Sequence, residues 1–204
     1  MESRDAPVDQ DAAWVAIQTR AQLPEVRRFC ANVERLFRIN PYLEIRRWSE
    51  PHAQTYRVEL RNLSNGQVEN FRMSASRPDE NALLFVYADR LKRSTCIALE
   101  GCGHGTCVRI TDDYSGSPES ERVQRNAEVD RSLTAWGVAL RAYLERERHF
   151  GRFALWHAWL DRVWLPMTPA ARRIAWILIW IAAAEVALTV VIVIALWLES
   201  RFAL

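Results

Sequence analysis

Residues 23–45, LPEVRRFCANVERLFRINPYLEI, change their apolar period part-way through, and that change decides the fold. Up to Arg38 the apolar side chains recur at helical spacing: Val26, Phe29, Cys30, Val33, Leu36 and Phe37 share one side, and Arg27, Arg28, Glu34 and Arg35 the other. Pro24 suits the first helical turn, and Pro41 disfavours helix at Asn40. The pattern predicts an amphipathic helix over 24–38, with Cys30 as a plain core residue. From Tyr42 onward the period is two, the signature of strands with one buried face.

Outward from this junction, residues 13–20 alternate as a first strand. Segments 42–49, 54–61, 67–75, 82–89, 91–100 and 105–112 read as six more, punctuated by Ser49-Glu50-Pro51, Asn65-Gly66, Pro78-Asp79-Glu80-Asn81 and the glycines at 101, 103 and 105. Short connections make consecutive strands antiparallel neighbours, giving a meander of about seven. A second helix is expected over 118–150, with Val129, Leu133, Trp136, Leu140, Tyr143 and Leu144 as its stripe. One apolar helix face against one curved antiparallel sheet makes a two-layer α+β domain with the long helix on the concave side.

The order of strand, helix, antiparallel run and long closing helix resembles the START-like superfamily, also called the helix-grip or SRPBCC fold. The resemblance rests on residues 23–45, which look like that family's first strand-to-helix segment leading into its second strand. It rests also on TCVRITDDYSG with the helix from Ser120 to Phe150, which look like its last strand and closing helix. It covers residues 10–150 and is carried by pattern rather than by invariant catalytic residues. It implies a cavity between sheet and long helix that binds apolar ligands such as lipids, sterols or aromatic polyketides; some members are cyclases or hydrolases. A transmembrane tail departs from the simplest members.

That tail is residues 174–198, IAWILIWIAAAEVALTVVIVIALWL, whose one charge is Glu185. As a helix it would reach about 37 Å against roughly 30 Å of hydrocarbon, enough to span with some tilt. Trp176 and Trp180 lie toward one end and Trp197 at the other, where indole rings favour the headgroup level. Arg162, Arg172 and Arg173 precede the span and only Arg201 follows it, which predicts an inner-membrane, single-pass protein with its N-terminal domain in the cytoplasm. The opening MESRDAPVDQDAAW offers no basic n-region or apolar h-region. Before the span, Phe153, Trp156, Trp159, Leu160, Val163 and Trp164 fall on one arc of a helical wheel, as in a helix lying in the membrane interface; packing back on the domain is the alternative. The expected division is a flexible 1–11, a ligand-binding domain 12–150, an interfacial helix 151–168, and the anchor with its short tail 169–204.

A net charge of +2 argues for no polyanionic partner, so nucleic acid is not expected. Lys92 is the only lysine beside 26 arginines, a hint of a GC-rich bacterial genome. Cys30, Cys96, Cys102 and Cys107 would be reduced thiols in a cytoplasmic domain. Cys102, His104 and Cys107 supply three soft ligands without a fourth, so no metal is expected, and the glycines among them suit a hairpin better than a phosphate loop. No cofactor is implied. The chain has no GxSxG and no carboxylate pair of arguable spacing, and no histidine falls on a strand face. Asp112 and Asp113 read as part of the turn into the last helix, Asp130 as a solvated helix edge, and His149 and His157 as membrane-proximal polar residues.

The strand faces offer a better lead. With Tyr56, Val58 and Leu60 facing inward, Phe71 and Met73 follow, and Glu69 shares their face; Phe85 and Tyr87 align next, then Arg93, Thr95, Ile97 and Leu99. Together with Trp136 and Leu140 of the long helix, these would line an apolar chamber holding a few polar groups, Glu69 and Arg93 among them. The alternative places Glu69 and Arg93 near strand ends, in water. Expected function is therefore binding of a lipid, isoprenoid or similar apolar small molecule beside the membrane, with a cyclase or hydrolase, or a membrane adaptor, as the alternatives. Glu185, with Ala182, Ala183, Ala187 and Thr189 near it, could serve a partner transmembrane helix or a homo-oligomer.

Overall fold

In the computed structural model, residues 12–88, 90–115 and 131–202 are described. Seven strands form one sheet: β1 (Ala12–Thr19), β2 (Leu43–His52), β3 (Thr55–Asn62), β4 (Val68–Ser76), β5 (Ala82–Ala88), β6 (Ser94–Cys102) and β7 (Gly105–Asp113). Their order is β1-β7-β6-β5-β4-β3-β2, antiparallel throughout. β2 to β7 form the expected meander, but β1 pairs with β7 at the far edge. The chain between β1 and β2 must therefore travel from one edge of the sheet to the other.

That crossing is made by two helices rather than the single one expected, α1 (Leu23–Cys30) and α2 (Val33–Arg38). The carboxylate of Glu25 accepts the Gln22 N–H at 2.8 Å and closes the first turn of α1. At Asn32 the side-chain oxygen accepts the Arg35 N–H at 2.9 Å, so a residue of modest helix propensity starts α2 as its cap instead of continuing α1. The break preserves the apolar side: Val26, Phe29, Cys30, Val33, Leu36 and Phe37 are all buried.

The β6–β7 hairpin turns through Gly103 and His104, with Gly103 at φ +55°, a conformation glycine adopts without a steric cost. Gly105 then passes so close to β1 that a Cβ there would lie 2.0 Å from the Thr19 carbonyl oxygen. The hairpin also joins Cys102 to Cys107 in a disulfide, where reduced thiols were expected. The two-residue turn brings the Cα atoms to 5.7 Å, within bridging range. Cys30 and Cys96 are free. At the opposite edge, β2 is interrupted by two register shifts, between Ile45 and Arg47 and between Ser49 and His52.

α3 (Leu133–Phe150) lies against β1, where Gly137 allows the close approach: a Cβ there would sit 3.2 Å from methyl groups of Val15 and Ile17. The part of the expected helix before residue 131, including Asp130, lies outside the described residues. Near the helix start, Asn40 donates to Ser132 Oγ at 2.8 Å, and the Trp136 indole N–H donates to the Leu36 carbonyl at 2.9 Å. Near its end, the Glu145 carboxylate accepts from Arg20 N–H (2.8 Å) and Thr19 Oγ1 (3.0 Å). These hydrogen bonds, the Arg20 N–H foremost, hold its carboxyl below the ordinary glutamate range.

After α3 come α4 (Ala154–Trp159) and a π-helical turn, Leu160–Trp164. The expected apolar arc is divided between a buried and an exposed half. Leu160, Trp164 and Leu165 are buried, and the Trp164 indole donates to Tyr143 Oη at 2.6 Å. Asp161 receives two hydrogen bonds from Arg35 Nη2, at 2.9 and 2.8 Å. Phe153, Leu155, Trp159 and Val163 remain exposed, and Trp156 is half-buried. Trp164, expected at a lipid surface, is thus a residue of the domain core.

The chain divides into two compact units, Met1–Pro166 and Met167–Leu204. The second contains α5 (Pro169–Phe202), a continuous 34-residue helix whose apolar side chains are exposed. Its stretch from Pro169 to Arg201 is long and apolar enough to cross a membrane.

Two outcomes follow from this packing. Ending the chain after Pro166 should retain a cooperatively folding domain, whereas ending it after Phe150 removes Leu160, Trp164 and Leu165 and should cost at least about 5 kcal/mol in urea unfolding. Glu145→Ala should destabilise the domain at neutral pH and have progressively less effect as pH falls through the glutamate range. A carboxyl whose folded pKa is depressed contributes stability only where it is ionised.

Candidate functional site

Alternation along the strands turns one residue in two toward α1–α3. Tyr56, Val58, Phe71, Phe85, Tyr87 and Thr95 are buried on this concave side, and Trp136 and Leu140 are buried on α3. These residues fall into two neighbourhoods.

The first is aromatic and centres on Phe37 of α2. Its ring lies 5.2 Å from Phe85, 5.4 Å from Trp136 and 5.7 Å from Trp48, and Trp48 lies 5.2 Å from Tyr56. Ring pairs at such spacings add packing energy beyond the area they bury. Burial, and secondarily Glu50, raise the Tyr56 phenol above its ordinary range. Phe37, assigned to a generic helix stripe by its spacing, is the plug of this interior.

The second neighbourhood is polar. Glu69 of β4 forms an ion pair with Arg90, whose guanidinium lies 4.3 Å from the Phe71 ring centroid and 5.3 Å from that of Tyr87. On the neighbouring strands Thr95 stands directly opposite Asp112 in the β6–β7 register. The Thr95 hydroxyl donates to Asp112 Oδ1 at 2.5 Å and lies 3.0 Å from the Tyr87 hydroxyl. A threonine hydroxyl has a single proton, so with that proton on Asp112 the Tyr87 phenol is the donor to Thr95. Lys92 Nζ completes the chain at 3.2 Å from Asp112 Oδ2 and 5.2 Å from the Tyr87 ring. Burial is the main cause that raises the Tyr87 phenol, so it stays protonated and able to donate at neutral pH; Lys92 opposes that shift.

Two expectations change here. Arg93 is exposed: β6 begins only at Ser94, so the inward alternation does not extend back to it. Its main chain bridges neighbouring strands instead, accepting from Tyr87 N–H (3.0 Å) and donating to the Asp113 carbonyl (2.9 Å). Arg90, from the β5–β6 connection, takes the place facing Glu69. Asp112 is not a turn residue but a wholly buried carboxylate on β7. The alternation Val108, Ile110, Asp112 already places it on the inward face, and Lys92 carried a signal as the sole lysine.

The Lys92 and Asp112 side chains are 7% and 1% exposed, which matters energetically. Breaking such a pair leaves one uncompensated buried charge, whereas replacing both partners by apolar groups is commonly neutral or stabilising. Asp112→Ala should therefore cost about 3–5 kcal/mol in urea unfolding followed by tryptophan fluorescence, and Lys92→Met/Asp112→Leu should be neutral or up to about 4 kcal/mol stabilising.

No family model and no curated protein matches the sequence. Among solved structures, a START superfamily protein from Mycobacterium smegmatis superposes with a TM-score of 0.50 at 16% identity, over 66% of this chain and 97% of that one. The Zhui aromatase/cyclase from Streptomyces sp. R1128 gives 0.54 at 16% identity, over 67% and 94%. A protein from Arthrobacter aurescens solved by NMR gives 0.51 at 14% identity, over 70% and 90%. At these identities the likeness concerns the backbone. The chain carries the START-like, or SRPBCC helix-grip, fold, followed by one C-terminal helix long and apolar enough to cross a membrane.

Proposed function

We propose that the first unit holds a largely apolar small molecule, a lipid, isoprenoid or similar compound, between the sheet and the long helix, with a polar end of the ligand at Tyr87, Thr95, Lys92 and Asp112. The observation that carries this reading is the buried hydrogen-bonded chain from Tyr87 through Thr95 and Asp112 to Lys92, set beside the Glu69–Arg90 ion pair in a largely apolar face. Buried charges add little to stability compared with apolar side chains of equal volume, so their presence is better accounted for by a task. A few polar groups in an apolar setting are the usual make-up of a small-molecule site. The START-like fold of the structural neighbours fits ligand binding in general, and the aromatase/cyclase name of one of them fits the second reading below.

The test uses the ion-pair replacement that should keep the fold. The full chain, purified in mild detergent, should retain an extractable apolar compound detectable by mass spectrometry. Lys92→Met/Asp112→Leu and Tyr87→Phe should each reduce its retention at least tenfold. Equal retention by all three proteins would remove the polar end from the reading. A second reading, an enzyme of the cyclase or hydrolase kind, is favoured by the Tyr87 phenol, a proton donor next to a buried carboxylate. It requires Tyr87→Phe and Glu69→Gln to lower turnover far more than ligand affinity.

α5 is proposed to anchor the chain in the inner membrane with the first unit in the cytoplasm, on the strength of the arginines before it. The Cys102–Cys107 disulfide weighs against that side, because the cytoplasm keeps thiols reduced. Alkylation of intact cells followed by mass measurement reads this directly, and a disulfide in the recovered chain would reverse the sidedness. The six-residue span makes the bond worth only about 2 kcal/mol, so the domain should fold in either state. Within α5 the Thr189 hydroxyl donates to the Glu185 carbonyl at 2.9 Å, leaving the Glu185 carboxylate as the polar group available to a neighbouring helix. Glu185→Ala should weaken association in the membrane by about 0.6–2 kcal/mol while leaving ligand retention unchanged, as read by single-molecule subunit counting.

A further inference from the structure

At the end of the domain remote in sequence from the polar chain, α1, the last turns of α3 and the start of α4 enclose a cleft of about 360 Å³, the lower end of the range for small-ligand sites. Its lining departs from the apolar norm: Arg28, Arg35, Arg148 and Arg152 all contribute. The two carboxylates in the wall each have a partner, and four arginines outnumber them. Glu25 accepts the Gln22 N–H, and Glu147 accepts from the Trp156 indole at 3.2 Å and faces His157 Nε2 at 3.6 Å. Arg35 is fixed by its two bonds to Asp161 and keeps a buried Nε without a hydrogen-bond partner. Arg28 and Arg152 form no ion pair among the described residues. Arginine forks match the geometry of phosphate oxygens and bind them bidentately.

What surrounds the cleft selects the source of that phosphate. Phe150, Phe153 and Leu155, between 47% and 85% exposed, flank its arginines in sequence, and the apolar helix α5 begins twelve residues after His157. We propose that this cleft binds the phosphate headgroup of an anionic phospholipid, with the exposed aromatic and aliphatic side chains entering the interfacial layer. The inference rests on reading α5 as a membrane span and is independent of what occupies the interior. Cationic side chains near an anionic bilayer each strengthen attachment about fivefold, so losing two should cost about 30-fold.

The experiment is a lipid titration of the full chain in non-ionic detergent, followed by native mass spectrometry with dioleoyl phosphatidylglycerol and dioleoyl phosphatidylcholine. Phosphatidylglycerol should bind at least tenfold more tightly, and Arg28→Gln/Arg152→Gln should abolish the difference through a roughly 30-fold loss. Arg57→Gln/Arg72→Gln, which removes the same charge from paired exposed positions on the other face of the sheet, should change nothing. The proposal is overturned if the two lipids bind alike, if Arg28→Gln/Arg152→Gln binds as wild type does, or if Arg57→Gln/Arg72→Gln loses as much. Displacement of phosphatidylglycerol by 10 mM inorganic phosphate would also overturn it, by making the site one for a free anion. Failure of the span reading shows separately, as release of the chain from vesicles by alkaline carbonate, and failure of the interior-ligand reading as absence of the co-purified apolar compound in the same spectra.

Discussion

The pairing of β1 with β7 is the constraint from which the domain's layout follows. Because β2 lies at the opposite edge, residues 20–42 have to traverse the concave face, and α1 and α2 cover that face before the closing helix arrives. The close pass of Gly105 under Thr19, the Thr106 hydroxyl on the Ala21 carbonyl at 2.8 Å and the Glu145 carboxylate on the Arg20 N–H all meet where β1 gives way to α1. Side chain, main chain and missing Cβ thus cooperate at one corner. The crossing also explains why the interior is shaped by α2: Phe37 reaches Phe85 and Trp136 from a helix that edge-to-edge topology lays between them.

Much of this was legible in the residues, and the failures have identifiable physical causes. Period-two alternation located all seven strands within a few residues, because each has one face in the core and one in water. The single helix expected over 24–38 became two because periodicity records which side is buried and is blind to a cap such as Asn32. The inward set from Tyr56 to Thr95 is buried together for the same reason the strands were legible. Arg93 reaches water, as the alternative placed it, because the inward alternation of Thr95, Ile97 and Leu99 does not extend back past the start of β6 at Ser94. Asp112 was misplaced by composition: two consecutive aspartates suggest a turn, yet pleating sends Asp112 inward while Asp113 bonds the Ser115 N–H. Arg90 had no signal, since only three-dimensional closure of the β5–β6 connection brings it over Phe71.

The segment after α3 shows how one amphipathic arc is shared between a core and a surface. On a helical wheel Leu160 and Trp164 occupy one half of the apolar arc and Trp159 and Val163 the other; the first pair enters the domain and the second stays outside. The same apolar count thereby serves both a core and an exposed surface. Arg35 is shared in a similar way, anchoring Asp161 while lining the cleft.

Burying the sole lysine has a consequence for how this protein can be observed. Amine-directed reagents ordinarily sample a protein's exterior through many lysines, but here they find one side chain, and it is sequestered beside Asp112. Acylation of Lys92 therefore requires the polar end of the interior to open, so its rate under a fixed reagent concentration becomes a clock for that opening. A label read at Lys92 would time that opening without any substitution in the chain.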